Sequence, residues 1–192
     1  MNLPNALTVI RIFLTFIFIF LYSQEGVQPK LLAIIVFTLA SLTDFLDGFI
    51  ARKYNLISRF GKIMDPIADK FLLLSAFYLF TQMRLIAVWI FSLIFAREAV
   101  VTGFRLVAMR RGAALAAEEA GKIKTVLQIV LVYSIIIFTI LIQLNIYTPE
   151  YRAILAGFLN GIHVLIYCVL FITLWSGIMF LFNNRKEIFY VR

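Results

Sequence analysis

Six apolar runs dominate the chain, and each approaches the length a helix needs to cross a bilayer. They fall at Leu7–Tyr22, Leu31–Ile50, Ile63–Thr81, Leu85–Met109, Ile123–Leu144 and Ile154–Phe182. A hydrocarbon layer offers no water to backbone N–H and C=O groups, so such runs must satisfy their hydrogen bonds internally, as helices. The expected fold is an all-α integral membrane protein: six transmembrane helices with a short N-terminal interfacial helix at Asn2–Arg11. Composition agrees, at 63% hydrophobic residues and a mean hydropathy of +0.99. No small-residue cleavage site follows the first run, which reads as retained. No linker, low-complexity tract or repeat divides residues 1–192, so a single domain is expected.

The net charge of +8 would suit nucleic acid if the cations were scattered over a polar surface. They are instead sorted between the apolar runs. With six spans, fifteen Lys and Arg fall on the side of the termini, and only Lys30, Arg84 and Arg152 fall on the other. That asymmetry places both termini and the polar segments in the cytoplasm, with no nucleic-acid partner. The external connections Ser23–Lys30, Gln82–Arg84 and Asn145–Arg152 are too short to hold a domain.

Against this background four aspartates stand out: Asp44, Asp47, Asp65 and Asp69. An ionised carboxylate near the bilayer centre costs on the order of 3 kcal/mol, and four together repel one another. Cations must offset that cost. Spacings of three and four put each pair on one face of a helix. Two such helices side by side would present four hard oxygen ligands to one cavity, the donor set of a divalent metal. Several plainer roles compete. Asp65-Pro66 has the form of an N-cap with proline at the first helical position. Gly61 can break the helix before the third span. Arg52 can cap a helix C-terminus or hold a phosphate.

The pattern Asp44-x2-Asp47-Gly48-x2-Ala51-Arg52-x8-Gly61-x3-Asp65-x3-Asp69 resembles the complete signature of the CDP-alcohol phosphotransferases, with all eight fixed positions matched within 26 residues. The resemblance implies a six-helix membrane enzyme, usually a homodimer, in a bacterial cell membrane. It implies that Asp44, Asp47, Asp65 and Asp69 bind two divalent ions, Mg2+ or Mn2+, and that Asp69 is also the general base. Gly48, Arg52 and the Ser58 hydroxyl would contact the CDP part of the donor. Asn5 and Thr8 are assigned to the same donor site. A plainer reading has this first segment lying at the interface, with Arg11 snorkelling to headgroups.

Between Asn2 and Gln128 further segments are similar to the bacterial phosphatidylglycerophosphate synthases: Asn2–Arg11, Met64–Lys70, Arg97-Glu98, Gly103–Arg105 and Gly121–Thr125. That implies CDP-diacylglycerol as donor and glycerol 3-phosphate as acceptor. Glu118-Glu119 departs from the expected pattern and reads as solvated. The last third adds nothing beyond apolarity. The residues themselves agree on the acceptor, because a small dianion needs cations. Arg97, Arg105, Lys122 and Lys124 are the candidates, with Arg97 and Arg105 two helical turns apart on one face. A structural pair of Arg97 with an aspartate or with Glu98 competes for Arg97.

Other features read as structural. His163 is expected to make an interhelical hydrogen bond. Gly157 and Gly161 are expected to let helices pack closely. Cys168 is expected to be an inert lipid- or core-facing thiol. Three rival functions remain open: the same chemistry on serine, inositol phosphate or phosphatidylglycerol; cation transport, since intramembrane carboxylates also mark ion paths; and a membrane scaffold.

Overall fold

The computed structural model describes the backbone of residues 3–54, 59–110, 119–144, 146 and 148–185, and all of their side chains except those of 3–5, 44–54, 59–63, 65, 66, 110, 119 and 120. The described chain is six helices: α1 (Leu3–Ser23), α2 (Val27–Tyr54), α3 (Arg59–Gln82), α4 (Val88–Arg110), α5 (Glu119–Gln143) and α6 (Pro149–Asn183). The expected interfacial segment forms the first turns of α1, continuous with the first span.

By length and composition α1, α5 and α6 can each cross a membrane, and α2 has a shorter apolar stretch at Val27–Thr43. Charge interrupts α3 and α4, at Asp69-Lys70 and Arg97-Glu98. The outer surface is apolar: Phe13, Phe20, Val88, Val164, Phe171 and Ile178 are all more than 60% exposed. A water-soluble chain would not leave that belt uncovered. With 35 residues, α6 is about 52 Å long at 1.5 Å per residue, well beyond the hydrocarbon layer. It starts sharply. The Thr148 side chain accepts a hydrogen bond from the Tyr151 N–H, and Pro149 occupies the first turn.

The core is aromatic toward the end opposite the termini. Phe18 on α1 packs against Tyr22 and against Phe37 of α2, with ring centroids 5.7 and 5.4 Å apart. Tyr22 meets Phe80 of α3 edge-on at 5.4 Å, and its hydroxyl donates to Thr139 Oγ1 of α5 at 3.3 Å. Lys30 is buried here. Its ammonium donates to the Tyr22 carbonyl and lies over the Tyr22 ring. Below this layer the helices part. α3 touches both α4 and α5, and α4 touches α6, but α4 and α5 do not meet along their described backbones. That gap makes the pocket.

Two structural readings of the aspartate region are corrected by the helix bounds. Because α3 begins at Arg59, Gly61 lies inside it and does not break it. Asp65 and Pro66 lie six and seven residues past the start, so Asp65 is not an N-cap. Pro66 leaves the Lys62 carbonyl without its helical N–H partner. Arg11 is also corrected. It is fully buried, on the face of α1 turned inward with Thr8 and Thr15, and does not snorkel.

Candidate active site

Helix geometry sets what each element offers. On α2, Asp44, Asp47, Gly48 and Arg52 lie within one helical stretch, and on α3 Asp65 and Asp69 lie one turn apart. α2 and α3 pack against each other. The two aspartate pairs thus lie on two helices that pack against each other. The side chains of Asn5, Asp44, Asp47, Gly48, Arg52 and Asp65 lie outside the described residues, as does Ser58 altogether. Asp69 is the one aspartate of the four whose side chain is described. It is partly exposed, and Lys70 Nζ sits 3.0 Å from its Oδ2.

Asp69 and Lys70 form the α3 wall of a cavity of about 440 Å³ in the α4–α5 gap. The α4 wall carries Arg97, Glu98, Thr102 and Arg105; the α5 wall carries Gly121, Lys122, Lys124 and Thr125. All four residues expected to hold the acceptor thus meet in one pocket with Asp69, although they come from two helices and span Arg97 to Lys124 in sequence. Thr8, assigned to the donor, is buried in α1 and does not line this cavity.

Sequence reading undervalued Glu98. Its side chain is only 3% exposed, and it gathers cations from three helices. Arg97 Nη1 donates to Oε1 at 3.1 Å, Lys124 Nζ donates to the same oxygen, and Lys70 Nζ lies 3.5 Å from Oε2. The contact to Lys124 crosses the gap between α4 and α5. A buried charge must be paired, and here one carboxylate organises three cations. The Arg97–Glu98 pair weighed as a structural alternative is present, and Arg97 lines the pocket as well. The signal that could have found Glu98 was the one used for the aspartates: a carboxylate deep in an apolar run.

Among the described residues, five cationic side chains against two carboxylates leave the lining positive. Such a pocket suits a small dianion. Charge-assisted hydrogen bonds from Arg and Lys to phosphate oxygens are strong and directional. Glu98 draws on Lys124, Arg97 and Lys70, whereas Arg105 and Lys122 pair with no carboxylate among the described residues.

Within this chain, α6 departs from two expectations and adds one contact. His163 is exposed on the outer face and makes no interhelical hydrogen bond among the described residues, because Ile162 and Ile166 take the core face. Gly157 and Gly161 also face outward, with nothing within 4 Å of where a Cβ would stand. Near the end of α6, Ser176 Oγ accepts from Arg97 Nη2 at 2.9 Å. Cys168 is exposed on the apolar exterior, as a lipid-facing thiol would be.

The profile of the CDP-alcohol phosphatidyltransferase family matches residues 1–182. The chain is 39% identical over 155 residues to a CDP-diacylglycerol–glycerol-3-phosphate 3-phosphatidyltransferase of Bacillus subtilis, covering 74% of this chain and 80% of that one. It is 39% identical over 127 residues to a protein of the same description from Rickettsia typhi, covering 66% and 71%. A third, from Salmonella typhimurium, is 28% identical over 192 residues and covers 97% of each chain.

Proposed function

The chain belongs to the CDP-alcohol phosphatidyltransferase family, and we propose that it transfers the phosphatidyl group of CDP-diacylglycerol to glycerol 3-phosphate, giving phosphatidylglycerol phosphate and CMP. The observation that carries this reading is the meeting of Asp69 with Arg97, Arg105, Lys122 and Lys124 around one cavity. A proton acceptor and a cluster for a phosphate dianion stand side by side, and relatives that carry the acceptor in their names support it.

In this mechanism Arg105 and Lys122 hold the acceptor phosphate, with Arg97 and Lys124 behind them. Glycerol 3-phosphate carries its primary hydroxyl at the other end of a three-carbon chain, so fixing the phosphate presents that hydroxyl toward Asp69. Asp69 takes the hydroxyl proton as the oxygen attacks the phosphorus nearest the diacylglycerol. One P–O bond forms, the bond to CMP breaks, and the phosphatidyl group ends on the acceptor. A carboxylate is a weak base, so orientation carries much of the rate. Direct transfer fits better than a covalent intermediate, since no paired Ser, Cys or His nucleophile lies within the signature.

Asp44, Asp47, Asp65 and Asp69 would hold the two divalent ions. Their all-oxygen donor set suits Mg2+ or Mn2+, and their placement on adjacent α2 and α3 suits a shared site. When bound, such ions neutralise pyrophosphate charge. Gly48, Arg52 and Ser58, with Asn5 and Thr8 on α1, are assigned to the donor. Its acyl chains would remain in lipid. The pocket and both termini would face the cytoplasm of a bacterial cell membrane, and the protein would work as a homodimer.

The deciding experiment incubates purified protein with CDP-diacylglycerol and a panel of alcohols, reading CMP. Release with glycerol 3-phosphate that stops with EDTA and returns with Mg2+ or Mn2+ is expected. CMP release driven by serine or inositol phosphate instead would reassign the acceptor, and full turnover without divalent metal would remove the metal site.

A further inference from the structure

The end of α6 reads as plain apolar sequence, yet it touches Arg97 and Arg105 of α4. Arg97 Nη2 donates to Ser176 Oγ at 2.9 Å, and Ser176 in turn donates to the Thr173 carbonyl at 3.0 Å. One residue on, Gly177 lies directly under the Arg97 stem. A Cβ there would stand 2.9 Å from Arg97 Cγ and 3.2 Å from Nε. One turn further, the Arg105 guanidinium lies 5.3 Å from the centroid of the buried Phe180 ring. Ser176, Gly177 and Phe180 occupy one inward face of α6.

The close approach at Gly177 is hard to relieve. Its nearest atom is Cγ, near the root of the side chain, and the guanidinium is pinned beyond it by Ser176 and Glu98. An arginine tied at both ends cannot swing aside as a free lysine tip would. Arg97 and Gly177 themselves border an apolar cavity of about 250 Å³ at the α4–α6 seam, walled otherwise by Leu93, Val100, Leu174 and Ile178. A displaced guanidinium would find no counter-charge there, so displacement is costly.

We propose that Ser176, Gly177 and Phe180 form a seat on α6 that positions Arg97 and Arg105 for the phosphate of the acceptor, making α6 part of the anion site without touching substrate itself. These are positioning residues. The proposal rests on the reading of Arg97 and Arg105 as phosphate-facing, and it extends that site to the helix with the least sequence signal.

The test uses the full-length protein in detergent, with inorganic phosphate as the probe and its stabilisation against heat as the readout, followed by steady-state turnover. Gly177→Ala is expected to weaken phosphate about tenfold, the scale of one charge-assisted hydrogen bond lost. Phe180→Leu, which keeps apolar volume and loses the ring face, is expected to weaken it about threefold. Gly161→Ala, on the open outer face of the same helix, should leave phosphate affinity unchanged. In turnover, the KM for glycerol 3-phosphate should rise in Gly177→Ala while the KM for CDP-diacylglycerol stays within about twofold. A merely structural α6 would lower stability and move both constants together. Phosphate affinity equal to wild type in both Gly177→Ala and Phe180→Leu would overturn the seat. If Gly177→Ala weakens phosphate binding yet the wild type releases no CMP with glycerol 3-phosphate, the seat stands and the acceptor reading falls. No protection of the wild type by phosphate would overturn both.

Discussion

Two ends of this bundle bury cations, and they do so in opposite ways. At the aromatic end, Lys30 is held by one carbonyl and one ring face of Tyr22, with Glu25 as its nearby counter-charge. At the other end, Lys70, Arg97 and Lys124 crowd onto Glu98, with Arg105 and Lys122 beside them and open space between. The first arrangement consumes its charge locally and leaves nothing to bind. The second keeps a surplus of positive charge facing a cavity. A buried cation is therefore no mark of function by itself. The mark is surplus charge beside room for a ligand.

The comparison is broken most severely at the carboxylates. Asp69→Asn is expected to reduce CMP release by about a thousandfold or more, the range for loss of a general base, with little change in melting temperature. Asp44→Asn, Asp47→Asn and Asp65→Asn should be similarly inactive. Near-normal turnover in any of them would detach the aspartates from the chemistry. Next in size is Glu98→Gln, which leaves three cations without their shared anion. It should cost about 3–5 kcal/mol of stability, read as a lowered melting temperature in detergent. An unchanged melt would mean that Glu98 does not hold the cluster.

Smaller effects sharpen the contrast. Arg105→Ala and Lys122→Ala should each raise the KM for glycerol 3-phosphate about tenfold or more, with kcat less affected. If acceptor dependence stays the same, the phosphate sits elsewhere. At the other end, Lys30→Met should leave both KM values untouched and shift stability by about 1–2 kcal/mol. A change in acceptor KM from Lys30→Met would erase the distinction between the two ends.

Much of this architecture is legible in the sequence, for one physical reason: charge in apolar surroundings is costly and so carries information. The same cost that flags the aspartates flags Arg97, Arg105, Lys122 and Lys124, and all four line the cavity with Asp69. Helices are legible because lipid permits little else. What escapes is anything set by which way a helix turns. The headgroup reading of Arg11 fails because Arg11 is buried, and His163, expected between helices, faces out. Gly157 and Gly161 carry a packing motif on a face where this chain places no neighbour. Gly177, which no motif marks, has an arginine against it. α6 is apolar on every side, so no periodic contrast tells its inner face from its outer one. The Asp65-Pro66 cap failed for a related reason: local turn chemistry was outweighed by a helix that had already begun at Arg59.

The parting of α4 and α5 has one more consequence. Because their described backbones never meet, what spans that opening is the reach of side chains, chiefly Glu98 to Lys124. Thr102 and Thr125 face the same opening from either side and carry none of the charge that ties it together. If alcohols enter there, as proposed, preference among alcohols of different bulk becomes a property that exchanging those two side chains can retune.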